Sequence, residues 1–162
     1  MNDTNKKLNA LEERMVNHLI IHSFDENRLG LLDGRMGIAI AFYWLGRNCG
    51  NTIYTNWGNQ LLDSILENLT PALPKDFATG LCGIGWGIKY LLHTGFVTTD
   101  SNDIFEELDK LIIGIDTDGT YPFNLAELIN PNYTPHEVMS RNALSLRDGL
   151  SGYLIQSMDL LL

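Results

Sequence analysis

His18 and His22 are separated by Leu19, Ile20 and Ile21. That i, i+4 spacing sets two imidazoles on one helix face, where they can share a metal ion. No glutamate follows the first histidine and no third ligand is evident, so a metal site is not expected there. Cys49 and Cys82 form no C-x-x-C pattern. Cys82 lies near a helix start, where the dipole would favour a thiolate or a metal ligand. A small core residue explains a lone cysteine on an apolar helix better. Asp33 and Asp148, with Asp76, are the carboxylates that acid–base chemistry would need. Arg35 and Arg147 flank two of them and would suit a peptide or a phosphate. Asp116-Thr117-Asp118-Gly119 hints at calcium, but its glycine falls at the fourth position of the loop instead of the sixth, so a turn is expected.

The elements that place these residues recur. "DGRMGIAIAFYWL" from Asp33, "TGLCGIGWGIKYL" from Thr79 and "DGLSGYLIQSMDL" from Asp148 align with Gly34, Gly80 and Gly149 in one column. Gly37, Gly83 and Gly152 share another, and Leu45, Leu91 and Leu160 a third. Glycine inside a helix costs roughly 1 kcal/mol relative to alanine. Its repeated use here predicts helix openings that crowd together or a ligand that approaches their backbone. Asp33, Thr79 and Asp148 are expected to be the N-caps of the three helices. Trp86 and Tyr90 read as packing within the second one, more than as a substrate platform.

Amphipathic stretches alternate with these apolar helices. Leu8, Leu11, Met15, Leu19 and Ile20 mark the first; Trp57, Leu61, Leu62, Ile65 and Leu69 the second; Ile104, Leu108, Leu111 and Ile112 the third. The expected architecture is all-α, with three outer–inner helical hairpins in one domain spanning 1–162. An insertion at 116–145 holds a short helix opened by Thr134, Pro135 and Glu137 in a capping box, which also accounts for His136. Gly95 is expected to end the second inner helix.

The 162 residues carry a formal net charge of -9, which disfavours a nucleic-acid groove. No apolar run reaches the ~18 residues of a membrane span, and no secretory leader is visible at the start, so a cytoplasmic setting is expected. Two unpaired thiols agree with a reducing compartment.

Outer–inner hairpins whose inner helices open with G-x-x-G resemble the lanthionine synthetase C-like family, an α/α toroid. "LLDGRMGIAIAFYWLGR" and "DFATGLCGIGWGIKYLLHTGFV" look like its first two inner-helix motifs. The resemblance extends from about Glu12 to Asp109 and, more weakly, from Leu146 on. It implies part of a toroid built from three hairpins and a setting in thioether peptide modification. Catalytic relatives hold zinc through two cysteines and a histidine, in patterns like W-C-x-G and C-H-G. Metal coordination lowers the substrate thiol's pKa and leaves an open position for its sulfur. Neither Cys49 nor Cys82 matches those patterns, so no zinc or other cofactor is expected in this chain. The resemblance thus implies a structural or peptide-binding module. Asp33, Arg35, Thr79, Cys82, Trp86, Arg147 and Asp148 would stand at its mouth, and a second copy or further chain would complete the ring. The alternatives are a zinc-dependent cyclase whose metal site lies elsewhere, and a carbohydrate-active α/α toroid using Asp33, Asp76 or Asp148.

Overall fold

The computed structural model describes residues 5–98, 124–141 and 143–158. Among them are six α-helices and a 3-10 turn, with no strand. The third amphipathic stretch, the Asp116–Gly119 turn and Leu160 lie outside the described residues.

Helix α1 spans Ala10–His22 and opens on a capping box. The Asn9 side chain accepts the N–H groups of Leu11 and Glu12, and the Asn9 N–H donates to Glu12 Oε2 at 2.8 Å. These bonds satisfy N–H groups that the first turn otherwise leaves open. The helix starts at Ala10, so Leu8 belongs to the stretch that leads into it. There the Lys6 N–H bonds Asn48 O at 2.8 Å.

Helix α2, Arg35–Cys49, buries nearly every residue from Met36 to Gly46. Gly50, at φ +61°, turns the chain in the left-handed region, and Asn51 caps α3, Thr52–Glu67. The short connection makes α2 and α3 a tight hairpin, closed by Gly58 against the Tyr43 ring and by a bond from the Tyr43 hydroxyl to Asn59 Oδ1 at 2.7 Å. Helix α4 spans Leu81–His93, and Gly95 at φ +69° follows it, as expected. A 3-10 turn over Leu125–Leu128 and α5, Pro135–Arg141, precede α6, Leu150–Ser157. The capping box before α5 forms, with the Thr134 N–H on Glu137 Oε2 at 2.8 Å and the Glu137 N–H on Thr134 Oγ1 at 3.3 Å.

The three glycine-opened helices are α2, α4 and α6. Helix α2 sits between the other two, and no comparable packing joins α4 to α6. The spatial order is therefore second copy, first copy, third copy. Helix α3 lies chiefly on α2, while α1 covers α6 and shares a core with α2 through Met15, Leu19, Ile38, Phe42 and Leu154. A second core joins α2 to α4 through Met36, Ile40, Ile84, Ile88 and Leu91.

Among the described residues the exposed large apolar side chains are Ile21, Phe24 and Ile53, none of them on a glycine-opened helix.

Candidate functional site at the helix openings

Each glycine-opened helix is entered through the same turn. The first helical N–H bonds the carbonyl seven residues earlier: Arg35 to Arg28 at 2.9 Å, Leu81 to Pro74 at 2.8 Å, and Leu150 to Ala143 at 2.9 Å. The N-cap positions are Gly34, Gly80 and Gly149, and none has a side-chain cap. The expectation that Asp33, Thr79 and Asp148 cap these helices is thus corrected: a loop carbonyl takes the N–H that a cap oxygen would have taken. The turn also explains the glycines. A Cβ on Gly37, Gly83 or Gly152 would run into the carbonyl of Leu31, Phe77 or Leu146, in each case six residues upstream.

The turns also lock to one another. Leu32 N–H donates to Ala78 O at 2.9 Å, Leu146 N–H to Leu32 O at 3.0 Å, and Asn130 N–H to Arg147 O at 2.7 Å. The three acceptors hold the same position in the three copies, whereas the donors differ: Leu32 and Leu146 stand one position apart in the alignment, and Asn130 belongs to the insertion. Side chains follow the same order. A Cβ on Gly37 would lie 2.7 Å from Leu146 Cβ, and one on Gly83 2.9 Å from Leu31 Cβ. On Gly152 it would lie 3.0 Å from Ile129 Cγ2. The helix openings do converge.

Two cavities open at this end. The first, about 590 Å³, is lined by His18, His22, Asp25, Glu26, Arg28, Asp33, Arg141 and Asp148, among others. It brings the two carboxylates of equivalent sequence position together with the histidine pair. The histidine rings are 4.4 Å apart, and His22 Nδ1 lies 3.1 Å from Asp25 Oδ2. His18 Nε2 is buried without a hydrogen-bond partner, and burial, then the charge of His22, holds the His18 pKa below its ordinary value. Arg28 grips Glu26 with Nε and Nη2, both at 2.9 Å, and this pairing holds Glu26 below the usual carboxylate range. Asp33 adds to the field that keeps Arg28 charged.

The second cavity, about 540 Å³, lies where all three turns and the insertion meet. Leu32, Phe77, Ala78, Leu128 and Ile129 give it apolar walls, and Asp76, Glu127, Asn130 and Arg147 stand around them. Asp76 is held in place by the Thr79 N–H at 2.7 Å and the Thr79 hydroxyl at 2.8 Å. These bonds, the backbone one foremost, lower its pKa.

The expected site residues are therefore divided. Asp33 and Asp148 face the first cavity and exposed Arg147 the second, while Thr79 anchors the Asp76 turn. Arg35 serves the scaffold: its guanidinium donates to Glu26 O at 2.7 Å, Phe24 O at 2.9 Å and Ser64 Oγ at 2.6 Å. Trp86 stacks on Tyr90, with ring centroids 5.1 Å apart, and meets Phe77 edge-on. Cys82 packs against the α2–α4 core, and burial raises its thiol pKa, with Asp76 adding to the effect; Cys49 is also raised by burial. Neither is the activated thiol considered above. Among the described residues no three His, Cys, Asp or Glu side chains are grouped to hold a metal ion, and no helix is long and apolar enough to cross a membrane.

Sequence reasoning missed Arg28, Glu26, Phe77 and residues 127–130. The apolar residue six before each second glycine (Leu31, Phe77, Leu146) was a signal present in all three copies. The chain matches no protein-family model, no curated protein and no solved structure.

Proposed function

We propose that this chain is a peptide-binding module of the lanthionine synthetase C-like kind, part of an α/α toroid, with no zinc site of its own. It receives a short stretch of polypeptide in the cavity between Phe77 and Ile129. One observation carries the reading: the same turn occurs three times, and backbone bonds lock the copies around an apolar cavity bordered by Asp76, Glu127 and Arg147. Apolar walls with a few fixed polar groups are what a small binding site needs. Backbone-locked walls also lose little entropy when a ligand orders against them.

Selection from a random dodecapeptide phage library, with the winners remade as synthetic peptides, tests this. The expected result is saturable binding that weakens about tenfold in Arg147→Glu, a change of about 1.4 kcal/mol. An empty selection, or winners indifferent to both Arg147→Glu and Glu127→Lys, overturns it.

A carbohydrate-active reading has one observation of its own, the presence of Asp33 and Asp148 in one cavity without capping duty. Under that reading Asp33→Asn abolishes glycoside turnover while leaving the fold intact. Turnover that survives in the variant removes it.

A further inference from the structure

Asp33 and Asp148 hold one position in two copies, each a residue before its N-cap glycine, and neither caps its helix. The Leu146 N–H bonds Leu32 O at 3.0 Å, so backbone ties the two turns together beside these carboxylates. Both are half-buried and line the first cavity. The other charges there are engaged. Arg28 gives Nε and Nη2 to Glu26, Asp25 meets His22, and Arg141 lies over the Tyr133 ring, 4.2 Å from its centroid. Arg28 also feels the charge of Asp33, but its hydrogen bonds go to Glu26. The side chains of Asp33 and Asp148 have no hydrogen bond and no ion pair among the described residues. His18 Nε2, at the same cavity, is a buried polar atom without a partner. Like charges sharing one space repel, and an unmet buried polar atom is costly. A cation that donates hydrogen bonds relieves both.

We propose that the first cavity binds a primary alkylammonium group, with Asp33 and Asp148 as its counter-ions and His18 Nε2 as its third acceptor. This site is separate from the peptide cavity and does not depend on it. An ammonium has three N–H donors and no acceptor, which matches two carboxylates and a neutral imidazole. Burial, then His22, disfavours a charge on His18, and a neutral ring can offer Nε2 as an acceptor. A metal ion fits less well, because among the described residues no three His, Cys, Asp or Glu side chains are grouped to hold one. Ammonium hydrogen bonds of about 2.8 Å span a wider set of acceptors than zinc–oxygen bonds of about 2.1 Å. The cavity volume of about 590 Å³ is that of a small-molecule site.

Free amines and lysine side chains share this chemistry, and two ligands separate them. Cadaverine and Nα-acetyl-lysine amide are each titrated into the full chain by calorimetry. Saturable binding is expected, and the tighter ligand names the source. The diol analogue of cadaverine lacks the charge, and its fully methylated bis-quaternary analogue keeps the charge but has no N–H. Both are expected to bind at least about tenfold more weakly. Asp33→Asn and His18→Phe are each expected to weaken amine binding at least about tenfold. Asp33 caps nothing, so its isosteric replacement leaves the fold intact. Glu67→Gln alters an exposed carboxylate on α3 outside the cavity and leaves binding within about twofold. Absence of saturable binding by either amine overturns the inference. So does equal binding of the diol or the quaternary ion, or wild-type affinity in Asp33→Asn or His18→Phe. An equal loss in Glu67→Gln also overturns it, since that would mark diffuse attraction to an acidic chain.

Discussion

At the scale of single residues, His18 at the first cavity titrates against the fold. Burial is the larger cause that lowers the His18 pKa from 6.5, and the neighbouring His22 charge adds to it. Asp25, Glu26, Arg28, Asp33, Arg141 and Asp148 line the same space. A histidine whose folded pKa is depressed costs nothing above its unfolded value. Stability is lost as pH falls from there through the folded pKa, because the unfolded chain takes up the proton first. Urea unfolding at about pH 7 and about pH 5 is expected to show wild type losing more stability on acidification than His18→Gln. Identical losses would place the titrating group elsewhere. Glu12 runs in parallel at lower pH. Burial opposes its charge, but the Asn9 N–H and Lys6 outweigh burial, so its folded pKa is depressed and its contribution fades in acid.

At the scale of elements, the turn before each inner helix makes two predictions of opposite kind. Gly83→Val drives a branched side chain into the Phe77 carbonyl and the Leu31 side chain, with backbone on one side unable to yield. Thermal or urea unfolding is expected to show a loss of about 3 kcal/mol or more. A neutral result would mean the turn is not packed as described. Asp33→Ala is expected to be mild, within about 0.5 kcal/mol, because the Arg35 N–H is bonded to Arg28 O and not to an aspartate. Loss of a true cap would cost about 1 kcal/mol.

These same residues show what was legible beforehand. The G-x-x-G columns located three helix starts, because a Cβ is forbidden there by neighbours that lie nearby in sequence. Aspartate before glycine looked like a cap, since propensity reports side-chain chemistry and is blind to a carbonyl seven residues away. The spatial order, with the first copy in the middle, depends on which turns bond to which. No periodicity carries that. Arg35 was read as a mouth residue for the same reason: its partners are carbonyls at Phe24 and Glu26 and the hydroxyl of Ser64.

At the scale of the whole molecule, the locked turns reverse the usual division between firm helices and soft connections. Loops generally exchange their amide hydrogens through small local openings. Here the amides of Leu32, Leu81, Leu146 and Leu150 lie in or beside connections. Each is bonded either across copies or back over its own turn, and all four side chains are buried. Freeing the Leu146 amide means separating the third copy from the first, which uncovers Gly37 and the core that α1, α2 and α6 share. Freeing the Leu32 amide separates the first copy from the second. These openings expose most of the interior, so the four amides are expected to exchange at the rate of Ile40 or Phe42 in the centre of α2. That rate is the one set by global unfolding. Native-state hydrogen exchange across a urea series checks this: their curves should merge with those of the α2 amides at low denaturant. Exchange of Leu32 and Leu146 through a low-energy, denaturant-independent opening would show that the copies part independently, and the convergent mouth would then be no firmer than an ordinary surface loop.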